Sequence, residues 1–118
     1  TLGAANTVDR VIDVFPPHQQ LQIRVQFASV IQAVISQQLL PKADDSGRVC
    51  AFEVMIATAG IRNLIREGKT HQMDSAIQTG GKYGMQTLDS SMMNLYRRGL
   101  INRETLLAQC VNPELIKL

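Results

Sequence analysis

The chain has 118 residues, 45% of them hydrophobic, and a formal net charge of +2. That length holds one domain or a piece of one, and that hydrophobic share suffices for a buried core. Two Tyr, three Phe and no Trp, with so small a positive balance, lack the basic stripe and stacking aromatics of a dedicated nucleic-acid binder. No apolar run approaches the roughly 18 residues of a membrane span.

Val8, Val11, Ile12 and Phe15 recur at helical spacing and predict an amphipathic helix that Pro16 and Pro17, which have no N–H to donate, bring to an end. Residues 18–40 then read as one long central helix with two apolar sides. Leu21, Val25, Ala28 and Ile35 line one side, and Ile23, Phe27, Val30 and Val34 the other. A helix apolar on both sides belongs inside something larger, and in a chain of this size one of those faces lacks a partner.

The character changes at Leu39 and Leu40. With the polar turn "KADDSG" and the apolar run from Val49 to Ala57 they predict a strand, a hairpin loop and a second strand, the turn chemistry coming from Asp44, Asp45, Ser46 and Gly47. The near-continuous apolar run suits a strand covered on both faces. Glu53 interrupts it. Its carboxylate reads either as an edge group paired locally or as a group pointing into a cleft.

From Ala59 on, the chain reads as short helices. "AGIRNLIRE" places Ile61, Leu64 and Ile65 on one side, Arg62 and Arg66 on a second, and Asn63 and Glu67 on a third, at about 100° per residue. Gly68 is placed to stop that helix. Met73, Ala76 and Ile77 point inward from the next, which Gly80 and Gly81 close. Met85, Leu88, Met92 and Leu95 predict a further helix ending at Gly99, with a methionine stripe that reads as core filling. Arg97 and Arg98 complement its dipole. Asn102 caps "RETLLAQC", and Asn112 with Pro113 starts a last turn.

Little chemistry is written in these residues. There is no G-x-x-x-x-G-K-[ST] and no G-x-G-x-x-G, and "QTGGKYG" has a Gly-rich composition with the wrong spacing for phosphate. Cys50 and Cys110 read as free buried thiols of a reducing compartment. Neither cysteine is spaced with His18 or His71 as a metal site, and both histidines read as surface or capping residues. "MQTLDSSMMNLYRRGLINRETLLAQ" has the outline of a helix-turn-helix, but its basic residues are few and bunched at a helix end. The residues by themselves describe an α-rich unit that offers an ordered polar helix to a neighbour.

Five stretches carry a resemblance: "AANTVDRVIDVFPPHQQ", "ISQQLLPK", "EVMIATAGIRNLIREGKTHQM", "AIQTG" and "YGMQTLD". Together they closely resemble the twitching-motility (type IV pilus retraction) ATPases of the PilT family, in the secretion-ATPase branch of the RecA-like P-loop NTPases. The similarity runs through essentially the whole chain in the family's order. The family's signature AIRNLIRE is matched from Ala59 to Glu67, with Gly60 standing where the family has its alanine directly before the isoleucine. Glycine there weakens the helix start slightly.

The resemblance implies an α/β RecA-like parent, of which residues 1–58 would be the last part of the ATPase core and 59–118 a helical C-terminal subdomain. This segment is then α-rich with a short β-hairpin. ATP and Mg2+ would be bound by the parent through its Walker A loop, acidic box, Walker B region and a T-L-H-T box whose last residue Thr1 resembles. No motif here binds either one, and no catalytic, nucleotide-binding or metal residue is assigned in this segment. The implied assembly is a homo-hexamer at the cytoplasmic face of the bacterial inner membrane, working with inner-membrane pilus machinery, without nucleic acid and without membrane insertion. The two cysteines cannot supply the tetracysteine zinc motif usual in assembly and type II secretion relatives. On this reading Ile61, Leu64 and Ile65 anchor the motif helix, while Arg62, Asn63, Arg66 and Glu67 contact a neighbouring element or subunit and transmit the nucleotide state. The alternative is a stand-alone helical interaction module.

Overall fold

The computed structural model describes residues 3–116. Thr1, and with it the comparison to the T-L-H-T box, lies outside them. The predicted first helix forms as α1, Ala4–Asp13, with Ala4, Val8 and Ile12 buried. Val11 stays exposed, and Phe15 lies beyond the helix end. Pro16 and Pro17 do more than end it: Pro16 is the N-cap and Pro17 the first residue of α2, Pro17–Val30. A fixed φ near −65° and a missing N–H suit proline to a helix start as well as to a helix stop.

The long central helix expected over 18–40 is two elements. Helix α2 ends at Val30, and Ala33–Pro41 is strand β1. It pairs antiparallel with β2, Arg48–Ile56, in a register from Ala33 opposite Ile56 to Pro41 opposite Arg48. The apolar residues 30–35 are mostly β-branched (Val30, Ile31, Val34, Ile35), and such residues lose side-chain freedom in a helix and gain packing in a sheet. Of the two helix faces expected, Ala28 is buried, while Leu21 (71% exposed) and Val25 are open to solvent. Val30 is exposed as well, and Ile23 and Phe27 are half-buried. The hairpin turn is drawn in by Lys42 N–H to the Gly47 carbonyl (2.9 Å), Asp45 N–H to the Lys42 carbonyl (3.1 Å) and Ser46 N–H to the Asp44 carboxylate (2.9 Å).

The remaining elements are α3 (Ala59–Arg66), α4 (Met73–Gln78), α5 (Leu88–Arg97) and α6 (Arg103–Gln109). Single 3-10 turns sit at Thr70–Gln72, Gly81–Tyr83 and Pro113–Leu115. Met85, expected inside the fifth helix, precedes it and packs beside Gly80, where a Cβ would come within 2.6 Å of its Cε. Asn102 caps α6 as expected, its Oδ1 accepting from Thr105 N–H at 2.8 Å; Asn112 and Pro113 start the last turn, but the Asn112 side chain makes no cap bond there.

Because side chains alternate along a strand, the hairpin has two faces. The inner face carries Leu40, Ala51, Glu53 and Met55, all buried. The outer one carries Ile35, Leu39 and Phe52, all exposed, so β2 is not covered on both faces as its composition suggested. The core is divided in two. One cluster gathers α1, the end of α2, Met55, α3, α4 and Met85. The other gathers Leu40, Ala51, α5, Ile101 and α6. Ala51 belongs to one cluster and Met55 to the other, and Glu53 stands between them on the same face of β2.

Candidate functional site

Two places concentrate polar chemistry: the motif helix α3 and a cleft at the seam between the clusters. Thr58 starts α3, its hydroxyl accepting from Ile61 N–H at 3.3 Å. Ile61 and Ile65 are fully buried and Leu64 packs half-buried on the same cluster. Burial of each isoleucine is worth about 1.5–3 kcal/mol, so the apolar face holds the helix in place.

The polar faces differ. Arg62 Nη1 donates to the Ala28 carbonyl at 2.6 Å. That carbonyl is among the last four of α2, which no helical N–H reaches, so Arg62 closes the end of α2 with a positive charge where the helix dipole favours one. Arg24 on α2 answers with a longer contact, Nη1 to the Ile65 carbonyl at 3.5 Å. Arg66 turns back to its own helix, donating to Asn63 Oδ1 at 2.8 Å. Asn63 and Glu67 are exposed, and Glu67 pairs with Lys69 at 3.1 Å in open solvent. Within this chain, then, Arg62 is spent on α2. Asn63, Arg66 and Glu67 form the outward polar edge.

The second place is a cleft of about 580 Å³ lined by residues including Glu53, Asp74, Thr87, Asp89 and Arg97. Glu53 is 4% exposed. Its Oε1 accepts from Ala4 N–H at 2.6 Å and its Oε2 from Leu88 N–H at 3.2 Å. Ala4 opens α1 and Leu88 opens α5, so one carboxylate caps two helix N-termini, where backbone donors and the helix dipole both favour negative charge. Gly3 makes room for it: a Cβ there would sit 3.0 Å from Oε1. Glu53 therefore does line a cleft, but its partners lie 49 and 35 residues away in sequence and none is local.

Asp89 holds the chain end by the same chemistry, accepting from Val111 N–H at 2.6 Å and Asn112 N–H at 2.8 Å. Burial, with the nearby Asp89 charge adding to it, pushes the Asp74 carboxyl up from the usual aspartate range. Asp9 accepts from the buried Thr70 hydroxyl at 2.8 Å and ties α1 to the turn before α4. Asp9, Arg24, Asp74 and Asp89 carry no signal in the sequence, where each reads as a solvated helix charge.

His18 and His71 are exposed. Cys50 and Cys110 are unpaired, and each is half-buried rather than buried. Burial raises the Cys110 thiol above its ordinary value, opposite to what a reactive thiolate needs. Among the described residues no three His, Cys, Asp or Glu side chains gather as a metal site, and no helix is long and apolar enough to cross a membrane.

No protein-family model matches the chain. Among solved structures it superposes on the pilus retraction motor PilT with bound ADP, at TM-score 0.83 and 39% identity, over 98% of this chain and 32% of that one. The ATPase DotB of Legionella pneumophila follows at TM-score 0.71 and 22% identity, over 92% of this chain and 29% of DotB, a likeness of fold alone. The fold is thus that of a portion of the RecA-like secretion ATPases, helix-rich with a two-stranded hairpin. In sequence the chain is 51% identical over 114 residues to the type IV pilus retraction ATPase PilT of Pseudomonas aeruginosa, which covers 97% of this chain and 33% of the relative. Over nearly all of its residues the chain is thus similar to a segment of these pilus retraction ATPases, spanning about a third of their length.

Proposed function

We propose that the chain is the C-terminal portion of a motor ATPase that drives type IV pilus retraction by hydrolysing ATP. The observation that carries this is the match, over 98% of the chain at TM-score 0.83, to a pilus retraction motor holding ADP. Identity of 51% to a retraction ATPase supports it. In this reading the parent binds ATP and Mg2+ through motifs outside these residues, assembles as a homo-hexamer and works in the cytoplasm at the inner membrane, against the pilus machinery there. Residues 1–58 complete its ATPase core and 59–118 form its helical subdomain.

Helix α3 is then the retraction element. Its buried isoleucines anchor it, and Arg62 locks it to α2. Asn63, Arg66 and Glu67 are the groups left to meet a neighbouring element or subunit and pass on the nucleotide state. A planar guanidinium suits such a contact because it pairs carboxylates in a bidentate fork.

The test uses both forms of the protein. The purified parent is expected to hydrolyse ATP, and the 118-residue chain alone is not, since a phosphate loop and its lysine hold the phosphates in this class. Turnover by the isolated chain, or a parent without turnover, would sink the reading. A parent carrying Arg66→Ala should keep hydrolysis and lose retraction.

A further inference from the structure

We infer that Glu53 is the positioning residue that sets the α5–α6 unit against α1, acting as a carboxylate key at the seam between the two hydrophobic clusters. The clusters share no buried residue. Each is closed by its own side chains, so packing within either one does not determine the angle between them. The hairpin spans both, but a two-stranded ribbon twists and bends readily on its own. Something local must fix the joint.

Glu53 stands where that is required. Ala51 and Met55, its neighbours on the inner face of β2, enter opposite clusters. Its two oxygens are divided between them: Oε1 takes the first N–H of α1 and Oε2 the first N–H of α5. A carboxylate can do this because both oxygens accept and neither donates. Any swing of α5 away from α1 leaves one buried oxygen and one helix-end N–H unpaired, a penalty that a buried polar group cannot recover from solvent. The β2 edge supports the same joint, with Val54 and Gln86 exchanging backbone bonds at 3.0 and 3.1 Å and Ser91 Oγ accepting from Phe52 N–H at 3.0 Å. Those contacts hold α5 to β2. Glu53 adds α1.

The functional meaning rests on the motor reading: a displacement at the start of α1 would be passed through one side chain to the start of α5 and would open or close the cleft that Glu53 lines. The joint itself is a matter of geometry, and it is tested without ATP or pili. In the 118-residue chain, Glu53→Gln keeps the side chain's shape but offers one acceptor and one donor, so it can satisfy only one of the two N–H groups. Backbone hydrogen exchange should rise on the order of tenfold or more at Ala4 or Leu88 in Glu53→Gln and at both in Glu53→Ala. Exchange at Ile65 and Met92, inside the two clusters, should stay as in the parent sequence. Spin labels at exposed Gln26 and Asn94 should show a broader distance distribution in Glu53→Gln.

An even rise over all core amides would mean that Glu53 serves only general stability, and the inference would fall. Unchanged label distances would overturn it too. If Glu53→Ala does not fold, Glu53→Gln alone decides. A parent that failed to hydrolyse ATP would remove the motor reading and leave this result standing.

Discussion

Arg62 and Arg66 are the same residue four positions apart on one helix, and the structure gives them different work. Arg62 reaches a carbonyl in the last turn of α2, beyond the reach of the helix's own N–H groups, at 2.6 Å and partly buried. Arg66 meets an exposed asparagine on its own helix. A hydrogen bond from a charged donor is worth about 1.5–3 kcal/mol, and an exposed pair of this kind well under 1. Arg62→Ala should therefore lower the stability of the chain by about 2 kcal/mol in urea unfolding, and Arg66→Ala by less than about 0.5. Equal losses from the two would contradict the assignment. The sequence shows that the two arginines share a side of the helix. It does not show that the end of α2 lies across from only one of them.

At the scale of elements, helix ends were the easiest features to read. Gly68 and Gly99 sit at positive φ, 71° and 76°, each one position past a C-cap. After α3, Lys69 N–H bonds the Leu64 carbonyl at 2.8 Å and Gly68 N–H the Ile65 carbonyl at 3.2 Å. After α5, Leu100 N–H bonds Leu95 at 3.0 Å and Gly99 N–H bonds Tyr96 at 2.9 Å. Both have the paired 6→1 and 5→2 bonds of a Schellman cap. Gly68→Ala should cost about 1–2 kcal/mol, the penalty of a Cβ in the left-handed region; thermal unfolding of the variant measures it, and an unchanged midpoint would count against this cap. Residues 31–40 went the other way. Their apolar spacing fits a helix as well as a strand, a known ambiguity of short apolar runs. The choice was made by pairing with β2, whose nine partners lie 7 to 23 positions along the chain. A local pattern does not contain that information.

For the molecule as a whole, the unresolved question from the sequence was which apolar face would find no cover. It is the outer face of the hairpin together with one side of α2. Ile35 is 68% exposed and Leu39 54%, with Phe52 beside them and Leu21 on the helix. Adjacent exposed apolar residues on a sheet with an open edge favour association with another chain. Ile35→Lys with Leu39→Lys should leave the far-ultraviolet circular dichroism unchanged and reduce concentration-dependent association in sedimentation. If association is the same in both proteins, this face is not its cause.

What the sequence by itself determined is local and periodic. Helix-scale spacing chose the buried residues of α3, α4 and α5. Asparagine, proline and glycine set the helix ends, and five short stretches, the α3 motif among them, carried the family resemblance. Each of those depends on residues within a turn or two of one another, and the backbone's own geometry enforces them. What only the tertiary structure decided is which partners distant groups acquire. It split the presumed central helix, spent Arg62 on α2, and gave Glu53 the first N–H groups of two helices that no spacing connects. Those outcomes depend on where two hydrophobic clusters come to rest, and a buried carboxylate takes whatever donors that arrangement brings within 3 Å or so.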